Sequence, residues 1–351
     1  MQRSIVAHCR PGFEPECAAD LARIARFAET TLRCSPVPGS AFVAGTSDAF
    51  DAARWQSALV AAPAWFARSI FVGDGPHRFL PRDRLTPLLA LARHQGAPFA
   101  AIWLETPDSN EGKRQSGLCR RLSPLLLQQA RAANLLRDDA AQRLHALFVD
   151  ADSAWVGVSD RATGSPWPMG IPRLVFPRSA PSRSVLKLSE ALLTFLTADE
   201  RVRLLRPGMR AVDLGAAPGG WTWELAKRGL QVTAVDNGPL KGEVADVAQV
   251  EHLRVDGLSW RPRRRVDWMV CDIVLQPSRI AALVAAWIAD GACRRTIFNL
   301  KLPMKKRYAE IERCAALIGD ALEQRGTRYS LAFKHLYHDR EEITGYCSRL
   351  D

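Results

Sequence analysis

The stretch Val212-Asp213-Leu214-Gly215-Ala216-Ala217-Pro218-Gly219-Gly220-Trp221 decides the fold of the C-terminal half. It joins a short apolar run, 210–214, to a glycine turn and then to a helix predicted over 221–228. A strand that enters a helix through such a turn brings backbone close to a ligand, where a Cβ would collide. Asp236 ends the next apolar run, 231–235, where a carboxylate can accept both ribose hydroxyls of a nucleotide-like ligand. A dinucleotide enzyme could use the same plan. Here, however, the turn is not Gly-x-Gly-x-x-Gly, and Pro218 stands beside Gly219-Gly220.

Outward from this turn, strands and helices alternate. Further strands are predicted over 253–255, 266–271 and 296–300, with an amphipathic helix over 184–197 ahead of the first. Such alternation implies a parallel, doubly wound α/β sheet covered on both faces. The runs 329–335 and 342–347 read as an antiparallel pair at the sheet edge.

Two more acids stand at predicted strand ends, where ligands of open α/β sheets gather. Asp256 follows 253–255 and could bond an adenine amino group; Asp272 ends 266–271. Either alone also suits a helix cap or a turn. With Asp236 they define one rim. Lysine usage adds to this, because only eight of the 48 basic residues are lysine. Arginine cannot give up its proton in a protein, whereas lysine can act as a base. Lys301 follows 296–300 at the same edge as Asp272, although it also opens a basic surface run, 301–307.

Residues 1–160 read as small α+β modules. Strands are predicted over 4–8, 41–44, 69–72, 99–104 and 154–158, and helices over 13–27, 84–94 and 117–132. Pro166, Pro168, Pro172, Pro177 and Pro181, with Gly164 and Gly170, then mark a connector. The organisation expected is a module over 1–60, a second over 61–160, a linker over 161–182 and the sheet domain over 183–351.

The 351 residues carry a formal charge of +11, and the pI is near 9.6. That excess favours a polyanionic partner, since phosphates reward clustered basic residues by releasing counterions. Lys113, Arg114, Arg120 and Arg121 form a contact stripe for it, or a solvated helix face. The eight cysteines show no Cys-x-x-Cys pair and no zinc spacing, which excludes a disulfide scaffold and leaves no metal site expected. The N-terminus lacks a signal-type apolar core, and no segment is long enough to span a bilayer. A cytoplasmic protein with no membrane partner is expected.

The glycine turn resembles the cofactor motif of the FtsJ-like ribose 2′-O-methyltransferases, which use a Lys-Asp-Lys-Glu tetrad. Ser182-Arg183-Ser184-Val185-Leu186-Lys187-Leu188 is similar to their first-lysine segment. That places Lys187 first, Asp272 second, Lys301 third and Glu342 fourth, with Glu341 immediately beside the last. Four separated motifs, 9–14, 180–184, 299–305 and 337–342, resemble the RlmM family of bacterial large-subunit rRNA cytidine 2′-O-methyltransferases across nearly the whole chain. The resemblance implies a Rossmann-like class I methyltransferase domain preceded by ferredoxin-like and THUMP RNA-binding modules, with Asn110–Lys113 falling in the latter. It implies S-adenosyl-L-methionine contacts from Ser184, Ala217, Pro218, Gly219, Gly220, Asp236, Asp256 and Asp272. Ala217 stands where the family has cysteine; that position contributes backbone more than side chain. The implied partner is large-subunit rRNA or an assembly precursor, met by a monomer.

The chemistry expected is in-line methyl transfer to a ribose 2′-oxygen, which needs orientation and removal of one proton. Lys301 is the expected base. Like-charge repulsion from Lys187 would favour loss of its proton, and Asp272 and Glu342 would oppose that while aligning both lysines. Three other readings compete: a non-catalytic RNA-binding assembly factor, a nucleotide-cofactor oxidoreductase, and a base-directed methyltransferase. The last would need a clamp for a base amine such as Asn-Pro-Pro-Tyr, where this chain has Asp272-Ile273-Val274-Leu275-Gln276-Pro277.

Overall fold

The computed structural model describes residues 3–350; Met1, Gln2 and Asp351, the ends of the predicted first and last modules, lie outside the described residues. The chain divides into two compact units after Pro172.

The first unit contains β1 (Ser4–His8), α1 (Glu14–Phe27), β2 (Arg33–Cys34), β3 (Phe42–Thr46), α2 (Ala52–Ala61), β4 (Ser69–Arg78), α3 (Leu85–His94), β5 (Ala101–Glu105), α4 (Asn110–Ala132), β6 (Gln142–Phe148) and β7 (Ser153–Asp160). Its strands form one sheet in the order β2-β3-β1-β4-β7-β6-β5. Of these pairings only β5 with β6 is parallel. Pro15 sits in the first turn of α1 and Cys17, Leu21, Ile24 and Ala25 form its buried stripe. Helix α4 begins seven residues before the predicted start at 117. Ser109 caps it, its hydroxyl accepting from Gly112 N at 3.0 Å. A Cβ at Gly112 would meet the Pro107 carbonyl oxygen at 1.9 Å, so glycine lets the first turn fold onto the preceding chain.

A charged cluster lies within this sheet. Glu105 is fully buried and accepts from His145 Nδ1 at 2.8 Å and from the Met169 amide of the connector, with His8 Nε2 at 3.4 Å. Despite burial, the two histidines hold its carboxyl well below the usual carboxylate range.

The second unit contains α5 (Val185–Phe195), α6 (Ala198–Leu204), β8 (Arg210–Leu214), α7 (Gly220–Lys227), β9 (Gln231–Val235), β10 (Val250–Leu253), β11 (Val266–Cys271), α8 (Pro277–Ala289), β12 (Cys293–Lys301), α9 (Arg307–Gln324), β13 (Tyr329–Lys334) and β14 (Glu342–Arg349). The order is β10-β9-β8-β11-β12-β14-β13. The first five strands are parallel, and β14 is antiparallel to both neighbours. This is a mixed α/β, Rossmann-like sheet, and the antiparallel pair closes its edge. Leu188, Leu192, Trp221 and Leu225 of α5 and α7 pack against Trp268, Val270 and Ile297. Met269 and Cys271 alternate to the other side of β11 and are equally buried, the mark of a central strand covered on both faces.

Three expectations for the second unit need correction. The predicted helix 184–197 stops at Phe195, because Thr197 and Glu200 form a reciprocal capping box that starts α6. The third parallel strand of this sheet, β10, covers Val250–Leu253, not 253–255, so Asp256 stands in an exposed turn beyond it. Strand β12 is longer than predicted and includes Lys301 as its last residue. Among the described residues, no helix is long and apolar enough to cross a membrane, and no group of three acidic, histidine or cysteine side chains could hold a metal ion.

Candidate active site

The glycine turn is built to leave room. Gly215 has φ +77°, and a Cβ there would meet Ile273 Cγ1 at 2.5 Å. Gly219 has φ +111°, with Val244 Cγ1 at 2.8 Å from the same missing atom. Beneath the turn Asp213 is buried and accepts from Thr222 Oγ1 at 2.6 Å, joining β8 to α7. Burial pushes its carboxyl up to about 7.

Asp236 follows β9 and serves the turn through both oxygens. Oδ2 accepts from Ala217 N at 3.0 Å and Oδ1 from Gly238 N at 2.7 Å. Each oxygen keeps a further lone pair for a ligand hydroxyl. Ser184 lies just before α5, its carbonyl accepting from Trp221 Nε1 at 3.0 Å and its hydroxyl 2.6 Å from Ser182 Oγ. A Cβ on Gly220 would fall 2.3 Å from Ser184 Oγ, so this glycine lets the two segments touch. Asp256 bonds Leu258 N through Oδ1 at 3.0 Å. Its neighbour Gly257 lies against Leu214 and Ile273, which brings the Asp256 turn to the ends of β8 and β11. A Cβ-free floor, a carboxylate beside it and acids around one rim fit S-adenosyl-L-methionine.

Beside that floor four charged side chains converge. Lys187 Nζ, in the first turn of α5, lies 2.5 Å from Glu342 Oε1 and 3.4 Å from Asp272 Oδ2. Lys301 Nζ lies 3.9 Å from Glu342 Oε2. Lys301 and Glu342 are register partners across β12 and β14, which explains their meeting. Glu341 is exposed and pairs instead with Arg307 at 3.1 Å. The side chain of Lys301 is 44% exposed whereas that of Lys187 is 18% exposed, so of the two lysines Lys301 is the one open to an incoming substrate. Burial works against the charge on Lys187, but Asp272 and Glu342 overcome it and raise its pKa. At Asp272 burial wins, pushing the carboxyl upward against Lys187 and Asn299.

Residues that motif reading left without a role support these. Asn299 Nδ2 donates to Asp272 Oδ1 at 2.7 Å. Glu190, one turn after Lys187 on α5, accepts from the Tyr337 and His338 amides at 2.8 and 3.0 Å and from His338 Nδ1 at 2.6 Å. Helical spacing from Lys187 was the available signal for Glu190. In the first unit, Lys113, Arg114, Arg120 and Arg121 are all exposed on α4, at spacings that place them on one face.

Three family models match the chain: the RlmM ferredoxin-like domain over residues 1–70, the N-terminal domain of ribosomal RNA large subunit methyltransferase M over 83–160, and FtsJ-like methyltransferase over 180–298. Curated proteins called ribosomal RNA large subunit methyltransferase M are similar over nearly their whole length. That of Aromatoleum aromaticum is 51% identical, with 97% of this chain and 94% of the relative covered. That of Azoarcus sp. strain BH72 is 48% identical, covering 97% and 95%. The protein of Xanthomonas axonopodis pv. citri is 47% identical, covering 97% of each.

Proposed function

The chain belongs to the ribosomal RNA large subunit methyltransferase M family, and we propose that it methylates the ribose 2′-oxygen of a cytidine in large-subunit rRNA. It is a methyltransferase of rRNA, and its methyl donor is S-adenosyl-L-methionine. When bound, that donor supplies a methyl group already activated by a sulfonium. The observation that carries the ribose reading is the carboxylate of Glu342, which faces Lys187 with one oxygen and Lys301 with the other.

Lys301 is the general base. Standing at the end of β12 and open to solvent on one side, it receives the 2′-hydroxyl proton and orients the oxygen for in-line attack. Lys187 stays charged, held by Asp272 and Glu342. Asp236 and the turn 215–220 hold the donor; Ser184, Asp256 and Asp272 complete the rim. No base-amine clamp stands after β11, where the chain runs Asp272-Ile273-Val274-Leu275. The first unit contributes affinity through the α4 stripe, whose basic residues contact phosphate and so position the RNA without selecting a base. The substrate is free large-subunit rRNA or an assembly precursor, bound by a monomer.

The test is methyl transfer from labelled donor to unmodified rRNA, by wild type and Lys301→Ala side by side, with nucleoside mass spectrometry of the product. The expected result is label on the ribose of cytidine, absent in the variant while donor binding persists. Label on a base, or full activity in Lys301→Ala, overturns the assignment.

A further inference from the structure

Behind the four charged residues a line of side chains leads from Asp272 into the interior. Asn299 Nδ2 donates to Asp272 Oδ1 at 2.7 Å. Thr344 Oγ1 lies 2.8 Å from Asn299 Oδ1 and 2.9 Å from Asp339 Oδ2. Asn299 is 3% exposed, and Thr344 and Asp339 are fully buried. The sheet sets this alignment. Asn299 faces Thr344 across β12 and β14, two residues from the facing pair Lys301 and Glu342, so both pairs project from the same side.

Counting protons gives the line a direction. The amide nitrogen of Asn299 faces a carboxylate and must donate, so its carbonyl oxygen faces Thr344 and can only accept. The hydroxyl of Thr344 has one proton, and Asn299 requires it. A proton on Asp339 then satisfies the contact between Thr344 and that acid. Leu336 N donates to the same Asp339 oxygen at 3.1 Å and fixes the acid in its turn. Burial, with Glu342 and Glu190 nearby, pushes Asp339 well above the usual carboxylate range, in keeping with a neutral acid.

We propose that Thr344, backed by Asp339, is a positioning residue for methyl transfer: it orients the amide of Asn299, which in turn fixes the rotamer of Asp272 so that Oδ2 faces Lys187. A free Asp272 carboxylate could rotate about its own bond and abandon Lys187, since its contact there is only 3.4 Å against 2.7 Å to Asn299. The inference rests on the reading of Lys187, Asp272, Lys301 and Glu342 as the reaction centre.

Thr344→Val keeps the volume of the side chain and removes the hydroxyl; Thr344→Ser keeps the hydroxyl. Steady-state kinetics on unmodified rRNA should show kcat of Thr344→Val down roughly 10- to 100-fold, with KM for donor and RNA unchanged. Thr344→Ser should restore most of that loss. Adding Asn299→Leu to Thr344→Val should cost little more than Asn299→Leu alone, because both interrupt one line. Normal kcat in Thr344→Val, an equal loss in Thr344→Ser, or fully additive losses would each overturn the proposal. Asp272→Asn in the same assay separates the premise from the inference. If it is inactive while Thr344→Val is normal, only the positioning role fails; if it is fully active, the reading of the reaction centre fails as well.

Discussion

Glu342 and Lys187 make the shortest ion pair at the proposed reaction centre, 2.5 Å from Oε1 to Nζ, while the second oxygen of the same carboxylate faces Lys301. One acid from β14 thus faces two lysines that come from a helix and from a different strand. Glu342→Gln keeps the shape and removes the charge. We expect kcat to fall roughly 10²- to 10⁴-fold, the range for loss of organised proton transfer. Calorimetry should show donor affinity retained, because the turn 215–220 is untouched. A variant with normal kcat would remove Glu342 from the mechanism.

Gly220→Ala tests the cofactor floor. The added methyl group would fall 2.3 Å from Ser184 Oγ and 2.5 Å from Ser182 Oγ, so the segment before α5 must retreat from the turn. Donor affinity measured by calorimetry should weaken by about tenfold or more, a cost of roughly 1–3 kcal/mol for overpacking a tight contact. RNA affinity measured by filter binding should be unchanged. Equal donor affinity would mean that Ser182 and Ser184 move freely and do not shape the site.

Asp213 gives stability a pH dependence whose sign follows from burial. Its folded value is about 7 against an ordinary 3.8, so between these the folded protein keeps a proton that the unfolded chain releases. Raising the pH from 4 to 7 therefore costs stability, by at most about 4 kcal/mol, and above 7 the loss is constant. Urea unfolding of wild type and Asp213→Asn across this window should show wild type losing ground to the variant up to pH 7 and running parallel beyond. Parallel curves throughout would show that Asp213 is ionised in the fold at every pH tested.

The α4 stripe predicts a salt-dependent weakening. Arg120→Glu with Arg121→Glu removes two exposed cations from one helix face. RNA affinity should fall, and the slope of log affinity against log salt should flatten by about 0.7 to 0.9 for each phosphate that is no longer neutralised. Donor affinity should be unaffected. An unchanged slope would make the stripe a solvated surface.

The second unit was largely legible because its signals are local. Arg210–Leu214, Gln231–Val235 and Val266–Cys271 are apolar runs bounded by turns, and their observed limits match the predicted ones. Val250–Leu253 was misplaced because its residues Glu251 and His252 break the apolar pattern, as an edge strand permits. The first unit hid more. Helix α2 and strand β6 carried no prediction, and the opening of α4 is too polar to show a helical period before Gly117. The four charged residues of the proposed reaction centre could be named from motifs, but the adjacent acids 341 and 342 could be told apart only by strand register. Asn299, Thr344 and Asp339 meet through sheet pairing between distant segments, as do His8, Glu105 and His145 in the first unit. No spacing rule reaches that far.

The position of β14 has a consequence for synthesis. It lies between β12 and β13 in the sheet, yet it is made after both. A nascent chain emerging from the ribosome presents the glycine turn, Lys187, Asp272 and Lys301 well before Glu342. On the mechanism proposed here such a chain has its donor floor and both lysines but nothing to align them. A product interrupted before Glu342 is therefore expected to bind the donor yet fail to methylate, and action on ribosomal RNA is expected only once β14 has slotted between β12 and β13.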